Sequence, residues 1–208
     1  WVPGPPPQRE VAHEARLRTF LGGFGPDVPA TAGDATPPDF ALQCAAVLAA
    51  RPTAVSSIMG LYPPAFVAHL KAAGVAWFAN VSTVAEACAA EAAGADVIVL
   101  CIGENAYAES PGNTRDLALP KEQEDLVTAA ALTGKPVILV LTEGRPRFIT
   151  TIEPAVKGIL MAYWSGRKSA EAITDVLFGD YNPAGRLPFS YHKSMGEIVL
   201  YDRKPTEE

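Results

Sequence analysis

Two short polar segments contain residue types that bind anions. Ser82 and Thr83 stand at the start of one predicted helix, and residues 166–169, which include Arg167 and Lys168, precede another. Backbone amides at a helix N-terminus attract negative charge, and two cationic side chains would add to that attraction. The sequence therefore predicts a crevice for phosphate or another small anion at these loops, an expectation that rests on fold geometry alone.

The cysteine and histidine residues form no motif for metal binding. Cys44, Cys88 and Cys101 are odd in number, lie in no C-x-x-C pair and stand among Ala, Val or Leu. Cysteines in such surroundings usually serve as small buried apolar residues. The three histidines are equally scattered, so we expect neither a metal centre nor a disulfide.

Charge and hydropathy exclude two classes of partner. The formal net charge is −6 and the isoelectric point is near 5.1, without the clustered basic face that nucleic acids and anionic membranes require. The longest apolar runs, 97–102 and 137–141, are too short to cross a bilayer. No signal peptide stands at the start, so we expect a soluble protein expressed in the cytoplasm. A small molecule or a carbohydrate is the ligand class left open.

From residue 53 onward, short apolar runs alternate with amphipathic segments. Strands are predicted at 54–59, 75–80, 96–102, 136–141 and 158–163, with a weaker sixth at 187–191. Helices are predicted at 64–73, 83–93, 120–133, 148–155 and 169–178. Strands that are apolar on both faces and joined by helices predict an α/β fold. We expect a doubly wound, mainly parallel sheet of five to six strands, flavodoxin-like or Rossmann-like, with helices on both faces.

Local signals support these boundaries. Thr83 and Glu86 fit a capping box, and Gly74, Gly94 and Gly134 each follow a helix that a left-handed glycine can end. Residues 1–52 are rich in proline and include helical stretches at 9–21 and 39–49. We expect this N-terminal segment to pack on a single α/β domain formed by 53–208.

The first half of the chain has segments typical of one enzyme family. Residues 56–66, 76–83 and 91–96, together with the proline-rich start, resemble nitronate monooxygenase, a family of FMN-dependent (β/α)8 barrels. The resemblance implies that Met59, Gly60 and Asn80 lie near a flavin. The histidine and phosphate loops of that family would follow strand 96–100 and are missing, so we expect no cofactor. Trp77 and Phe78 are interpreted as core residues.

The second half is similar to a different family. Residues 103–109, 119–123, 133–137, 144–146 and 175–188 resemble the C-terminal α/β sandwich domain of family 3 glycoside hydrolases, from about 96 to 205. That family cleaves β-linked glucosides with retention, and the resemblance implies that Glu109 is its general acid/base. The nucleophilic Asp lies on a preceding barrel, and the mechanism needs two carboxyl groups roughly 5–5.5 Å apart. With barrel and nucleophile missing, Glu109 is expected to be a vestigial, solvated carboxylate.

One turn departs from the family 3 pattern, and one arginine is assigned a structural role. Residues 166–170 read Gly-Arg-Lys-Ser-Ala, whereas that family usually has an acidic, glycine-rich turn there. Arg145, in Gly-Arg-Pro, is interpreted as structural and is expected to pair with a loop carboxylate such as Asp116 or Glu143.

The two resemblances meet at residues 96–100, a buried strand that either family could supply. The sequence therefore predicts a chimera, engineered rather than naturally fused, since natural fusions usually join whole domains at linkers. We expect a scaffold without self-sufficient catalysis. Two alternatives stay open: a β-glucosidase half-site that contributes Glu109, and an FMN-binding module.

Overall fold

The computed structural model describes residues 10–33, 39–107, 112–194 and 196–197. The helices are α1 (Val11–Gly22), α2 (Phe40–Ala50), α3 (Pro64–Ala73), α4 (Val84–Ala92), α5 (Lys121–Leu132) and α6 (Ser169–Phe178). The strands are β1 (Ala54–Ser57), β2 (Ala76–Val81), β3 (Val97–Gly103), β4 (Val137–Thr142) and β5 (Gly158–Met161). Short 3₁₀ helices occupy Ala30–Gly33 and Glu153–Ala155. Across those ranges, no helix combines the length and apolar composition needed to cross a bilayer.

The five strands form one parallel sheet in the order β1-β2-β3-β4-β5. The predicted α/β class and parallel sheet are confirmed. The sheet is also continuous across residues 96–100, because β3 pairs with β2 on one side and with β4 on the other. The order follows the sequence throughout, whereas flavodoxin-like and Rossmann-like sheets reverse their order at a switch point.

Helices cover the two faces of the sheet unequally. Right-handed crossovers that all advance in one direction place α3, α4 and α5 on the same face. There, Leu70, Ala90 and Val127 are fully buried in a core that includes Trp77. On the opposite face α6 stacks Phe178 on Phe78, with ring centroids 5.3 Å apart. Helices on both faces are therefore confirmed, as is the interpretation of Trp77 as core.

Two predicted elements do not form. Residues 187–191 are irregular rather than a sixth strand, since Pro188 has no amide hydrogen for a ladder. The helix predicted at 148–155 shrinks to Glu153–Ala155. Pro154 lacks the amide that would bond back to residue 150, so an α-helix cannot run through this segment.

Asp96 connects β3 to the elements before it. Its carboxylate accepts hydrogen bonds from the Trp77 backbone amide, at 2.8 Å, and from the Lys71 ammonium. Burial raises the pKa of Asp96, but the hydrogen bonds from Lys71 and Trp77 outweigh it, and the pKa lies below its ordinary value. The start of β3 is thus tied to both α3 and β2.

The predicted helix ends are confirmed, but the interpretation of the cysteines is not. Gly74, Gly94 and Gly134 have φ of +70°, +93° and +76°. Cys88 and Cys101 are exposed and Cys44 is partly buried, so none is the fully buried residue expected from its apolar neighbours. Cys88 lies on the solvent side of α4, and Cys101 on the sheet face that α6 covers incompletely.

Candidate functional site

An internal carboxylate takes the backbone amide at one of the two loops that were predicted to bind an anion. Glu86 Oε2 accepts hydrogen bonds from the Ser82 backbone amide and hydroxyl, at 2.8 and 2.9 Å, and Thr83 Oγ1 accepts from the Glu86 amide at 3.2 Å. The backbone hydrogen bond from Ser82 is the main cause of a lowered Glu86 pKa. Before α6, the Lys168 ammonium donates hydrogen bonds to both carboxylate oxygens of Glu171, at 2.7 and 2.8 Å. At Ser82 an internal carboxylate therefore occupies the position that an external anion would need, whereas before α6 Glu171 pairs with the exposed side chain of Lys168.

A cluster of polar side chains lies instead at the carboxyl ends of β3 and β4. Glu104 follows β3, and its side chain is only 1% exposed. Its carboxylate accepts hydrogen bonds from the Gly144 amide at 2.9 Å and from Arg147 Nη2, and Arg145 Nε lies 3.1 Å from Oε1. Two arginines from one loop thus converge on one buried carboxylate from the neighbouring loop.

Gly103 brings these two loops together. It has φ of +147°, and a Cβ at this position would lie 2.1 Å from the Thr142 carbonyl oxygen, so any side chain is excluded. The Gln123 side chain holds the Gly103 backbone through two hydrogen bonds of 3.0 Å, one to its amide and one to its carbonyl. Glu104 then donates its amide to Thr142 at 3.0 Å. The ends of β3 and β4 are consequently fixed against each other where the cluster begins.

Arg145 joins the loop after β4 to both ends of a short stretch after β3. Its Nε donates to the Tyr107 hydroxyl at 2.9 Å, and Nη2 donates to the Gly112 carbonyl at 2.7 Å. Its guanidinium also lies 3.9 Å from the centroid of the Tyr107 ring, which meets Trp164 edge-on at 4.2 Å. Arg145 does pair with a carboxylate, as predicted, but the partner is Glu104.

Arg147 is the arginine that reaches residue 116. Its Nη1 donates to the backbone carbonyls of Asp116 and Ala118, at 3.0 and 3.3 Å. Because these bonds go to the main chain, the carboxylate of Asp116 takes no part in the predicted pairing. Arg147 instead fixes the path of residues 116–118 against Glu104.

Glu143, the other predicted partner of Arg145, faces the protein interior. It is fully buried, and its Oε1 accepts a hydrogen bond from the Tyr191 hydroxyl at 2.7 Å. Burial raises the pKa of Glu143 despite the opposing hydrogen bonds from Tyr191 and the Arg147 amide. Burial, and then the Glu143 carboxyl, likewise raise the pKa of Tyr191. This pair anchors the irregular segment 187–191 to the end of β4.

Glu109 lies outside the described residues, which stop at Tyr107 and resume at Gly112. Both of these flanking residues contact Arg145. The positions expected near a flavin, Met59, Gly60 and Asn80, line a cavity of about 250 Å³ at the ends of β1 and β2. The Glu86 carboxylate lines the same cavity, and its charge opposes a phosphate group there.

The sequence of nearly the whole chain matches one protein family. The family described as "Glycosyl hydrolase family 3 C-terminal domain" matches residues 12–208. The chain belongs to this family. The match of the family 3 domain runs through residues 96–100 and includes most of the half that was predicted to derive from nitronate monooxygenase. The predicted chimera therefore finds no support, and the second of the two resemblances is the one confirmed.

The misleading resemblance has a physical source. Both families alternate buried parallel strands with glycine-terminated helices, so a short βαβ segment has the same apolar pattern in either. In this family 3 domain, β1 and β2 continue the sheet formed by β3 and β4. The flavin-binding interpretation of Met59 and Asn80 rested on the resemblance of residues 56–66, 76–83 and 91–96 to nitronate monooxygenase.

Several relatives are similar to parts of the family 3 domain. A periplasmic β-glucosidase from Salmonella typhimurium is 42% identical over 108 residues, which is 51% of this chain and 14% of that protein. A β-xylosidase from Formosa agariphila is 38% identical over 112 residues, 53% of this chain and 16% of that protein. The crystal structure of a β-glucosidase from Listeria innocua in complex with glucose superposes with a TM-score of 0.54 and 28% identity, over 64% of this chain and 19% of that one. The matches thus span less than a fifth of each relative.

Proposed function

We propose that this domain supplies one half of a retaining β-glycosidase active site, with Glu109 as the general acid/base. The observation that carries the proposal is the match of residues 12–208 to the family 3 C-terminal domain. The substrate class follows from the relatives, which are named as β-glucosidases and β-xylosidases. A β-linked glucoside or xyloside is the corresponding substrate here.

Two of the other described carboxylates near this edge of the sheet, Glu104 and Glu143, are poorly suited to the role of acid. Among the described residues, the contacts given for Glu104 are with donors, and the side chain is 1% exposed, so it acts as a buried acceptor. Glu143 is completely buried beneath Tyr191 and cannot reach a substrate. In the sequence, Glu109 follows Glu104 and lies between Tyr107 and Gly112, both of which contact Arg145. The unsuitability of Glu104 and Glu143 is consistent with the assignment that the family resemblance implies.

The proposal requires a second domain. Retaining hydrolysis needs a nucleophilic carboxylate roughly 5–5.5 Å from the acid, and the resemblance places that group on a preceding barrel. The β-glucosidase from Listeria innocua has over five times the matched length, which leaves room for such a barrel. The isolated chain is therefore expected to be catalytically inert, as the interpretation as a scaffold also expects.

We also propose that residues 53–208 form one domain on which the segment 1–52 packs. Cys44, Val47 and Leu48 of α2 lie against the core, which supports this arrangement for the second helix of the segment. In denaturation monitored by both tryptophan fluorescence and far-UV circular dichroism, one shared transition would agree with a common core. Two separated transitions would contradict it.

A hybrid enzyme tests the proposed function. The segment of the Listeria innocua β-glucosidase that superposes on this chain is replaced by the chain, and hydrolysis of nitrophenyl β-glucoside is compared with that of a Glu109→Gln hybrid. The Gln variant is isosteric and cannot donate a carboxyl proton, so the rate should fall by about 10²–10⁴-fold. Binding of isofagomine to both hybrids serves as the control for assembly.

Two outcomes would refute the proposal. One is a hybrid that binds isofagomine and hydrolyses the glucoside equally well with Glu or Gln at position 109. The other is a hybrid that binds the inhibitor but has no activity, which would leave an inert scaffold as the better description. If the hybrid does not assemble, NMR of the free chain with laminaribiose decides the question: unchanged resonances of Tyr107 and Trp164 in a large sugar excess would count against a sugar site at this edge.

A further inference from the structure

The core of the sheet is incompletely closed along β5, where a cavity of about 400 Å³ remains. Ile159 and Met161 of β5 are in register with Leu139 and Leu141, so they face the same side of the sheet as the buried core. The last crossover takes α6 to the opposite face, and the irregular segment 183–191 supplies the other side of the cavity. Ile159 consequently remains 38% exposed.

We propose that this cavity is a binding site for a small aromatic carboxylate, in which Arg186 recognises the carboxylate group. The inference goes beyond the proposed function and does not rest on it. A volume of about 400 Å³ falls within the range that is typical of small-molecule sites. Such sites combine mostly apolar walls with a few polar groups that orient the ligand.

Two tyrosines form aromatic walls of the cavity, and both rings are held by other side chains. Tyr191 donates a hydrogen bond to the buried carboxyl of Glu143 at 2.7 Å. Phe189 meets Tyr191 edge-on, with ring centroids 5.6 Å apart, and meets Tyr163 edge-on at 6.4 Å. A ligand ring can therefore pack against walls that are already ordered, which lowers the entropic cost of binding.

The backbone is strained at the first of these tyrosines. Tyr163 lies two residues beyond β5 and has φ of +55°, in the left-handed region that bulky residues avoid. Glycine would adopt this conformation more easily. Strain of this kind is common at ligand-binding sites, where the surrounding structure holds it in place. A large aromatic side chain at this position supports a role for its ring in binding.

Arg186 makes the cavity suitable for an anion. None of the described residues that line it is acidic, whereas Glu86 lines the cavity at the ends of β1 and β2. Across the described ranges, no carboxylate forms an ion pair with Arg186, although Arg145 and Arg147 both pair with Glu104. The planar guanidinium matches a carboxylate through two parallel hydrogen bonds. A carboxylate attached to an aromatic ring would pair with Arg186 while the ring packs against the tyrosines.

Calorimetric titration of the free chain with 2-naphthoate tests the inference, and 2-naphthamide serves as the neutral analogue of the same shape. The chain should bind the carboxylate about tenfold more tightly than the amide, because charge-assisted hydrogen bonds are stronger than neutral ones. Arg186→Gln should weaken binding of 2-naphthoate by about tenfold and leave binding of 2-naphthamide unchanged. Arg16→Gln removes the same charge from the exposed surface of α1 and should bind both compounds as the parent does.

A substitution in the aromatic wall tests the other half of the inference. Tyr163→Ala should weaken binding of both compounds by about three- to tenfold, since it removes ring packing and leaves the charge in place. Far-UV circular dichroism checks that each variant is folded. If Tyr163→Ala is not folded, Ile159→Glu replaces it: this variant places a negative charge on an exposed side chain of the cavity and should abolish binding of 2-naphthoate.

Three results would overturn the inference. The first is a lack of saturable binding of 2-naphthoate at millimolar concentration. The second is equal affinity of the parent chain for the carboxylate and the amide, and the third is equal affinity of Arg186→Gln and Arg16→Gln for the carboxylate. NMR titration locates the site: amide resonances of residues 158–163 and 185–187 should shift, and shifts confined to other parts of the chain would also contradict the inference.

Discussion

Glu104 offers the sharpest test of the cluster at the ends of β3 and β4. Replacing Glu104 by Gln keeps the volume of the side chain and removes its charge. The side chain is 1% exposed. Its carboxylate accepts hydrogen bonds from the Gly144 amide and from Arg147 and forms an ion pair with Arg145. The neutral amide would leave Arg145 and Arg147, which are 23% and 17% exposed, without their anionic partner.

The expected cost can be bounded from this geometry. Removing one partner of a fully buried ion pair typically destabilises a protein by about 3–5 kcal/mol. Both arginines keep some contact with water, and Gln retains one acceptor oxygen, so we expect the free energy of unfolding to fall by about 2–3 kcal/mol. In a chain of this size each kcal/mol corresponds to about 2–4 °C in Tm, which gives a decrease of roughly 4–12 °C.

Urea denaturation followed by far-UV circular dichroism measures this change. The urea concentration at the midpoint should fall, while the dependence of the free energy of unfolding on urea concentration stays the same. Asp125→Asn is the matched control, because Asp125 pairs with Lys121 on the exposed surface of α5 and should contribute nothing measurable. A Glu104→Gln/Arg147→Gln double variant should recover part of the loss, since fewer charges remain unpaired. If Glu104→Gln is as stable as Asp125→Asn, the cluster does not hold the two loops together.

Three further predictions concern other features of the fold and are tested by the same denaturation assay. Burial raises the pKa of Glu143 above 4.5, so the stability that this group provides is complete below that pH and is lost as the pH rises through its folded-state pKa. The stability of Glu143→Gln relative to the parent should therefore increase from pH 4.5 toward neutrality. A difference that stays constant with pH would contradict this. Ser57→Ala should lower the free energy of unfolding by about 1–3 kcal/mol, because the indole N–H of the fully buried Trp77 loses the Ser57 hydroxyl that accepts its hydrogen bond at 3.0 Å. An unchanged urea midpoint would indicate that another group accepts this hydrogen bond. Gly103→Ala should prevent folding or lower the free energy of unfolding by more than about 3 kcal/mol. Gly134→Ala is the control, because Gly134 has φ of +76° and a Cβ there would have no atom within 4 Å, and it should lower that free energy by only about 1 kcal/mol. Equal effects of the two substitutions would mean that the close approach of Gly103 to β4 is relieved easily.

Much of the fold could be predicted because each element carries its own local signal. The apolar strand cores and the glycines after α3, α4 and α5 placed most element ends within one or two residues, and α3 and α6 were predicted with their observed bounds. The failures occurred where proline overrode an apolar pattern, at 187–191 and at 148–155. Strand order is not a local property, and the sequential arrangement could not be read from periodicity.

The cluster was harder to predict because its members are distant in sequence. Arg145 was recognised as a partner for a carboxylate, but Glu104 and Arg147 are separated by 43 residues and meet only because β3 and β4 are neighbours. One usable signal did exist. Loops after adjacent parallel strands lie at the same edge of the sheet; the loop after β3 begins with Glu104, and the loop after β4 contains Arg145 and Arg147. Combining the predicted strands with the charge of each following loop would have favoured Glu104 over Asp116.

The sequential strand order has a consequence for self-association. It leaves β1 and β5 at the two borders of the sheet, and each contains four residues, whereas the three interior strands contain six or seven. Unpaired amides and carbonyls along a border can recruit strands from other molecules and so begin aggregation. With only four residues on either side, intruding strands would find few backbone partners, so the short borders disfavour polymerisation of the sheet.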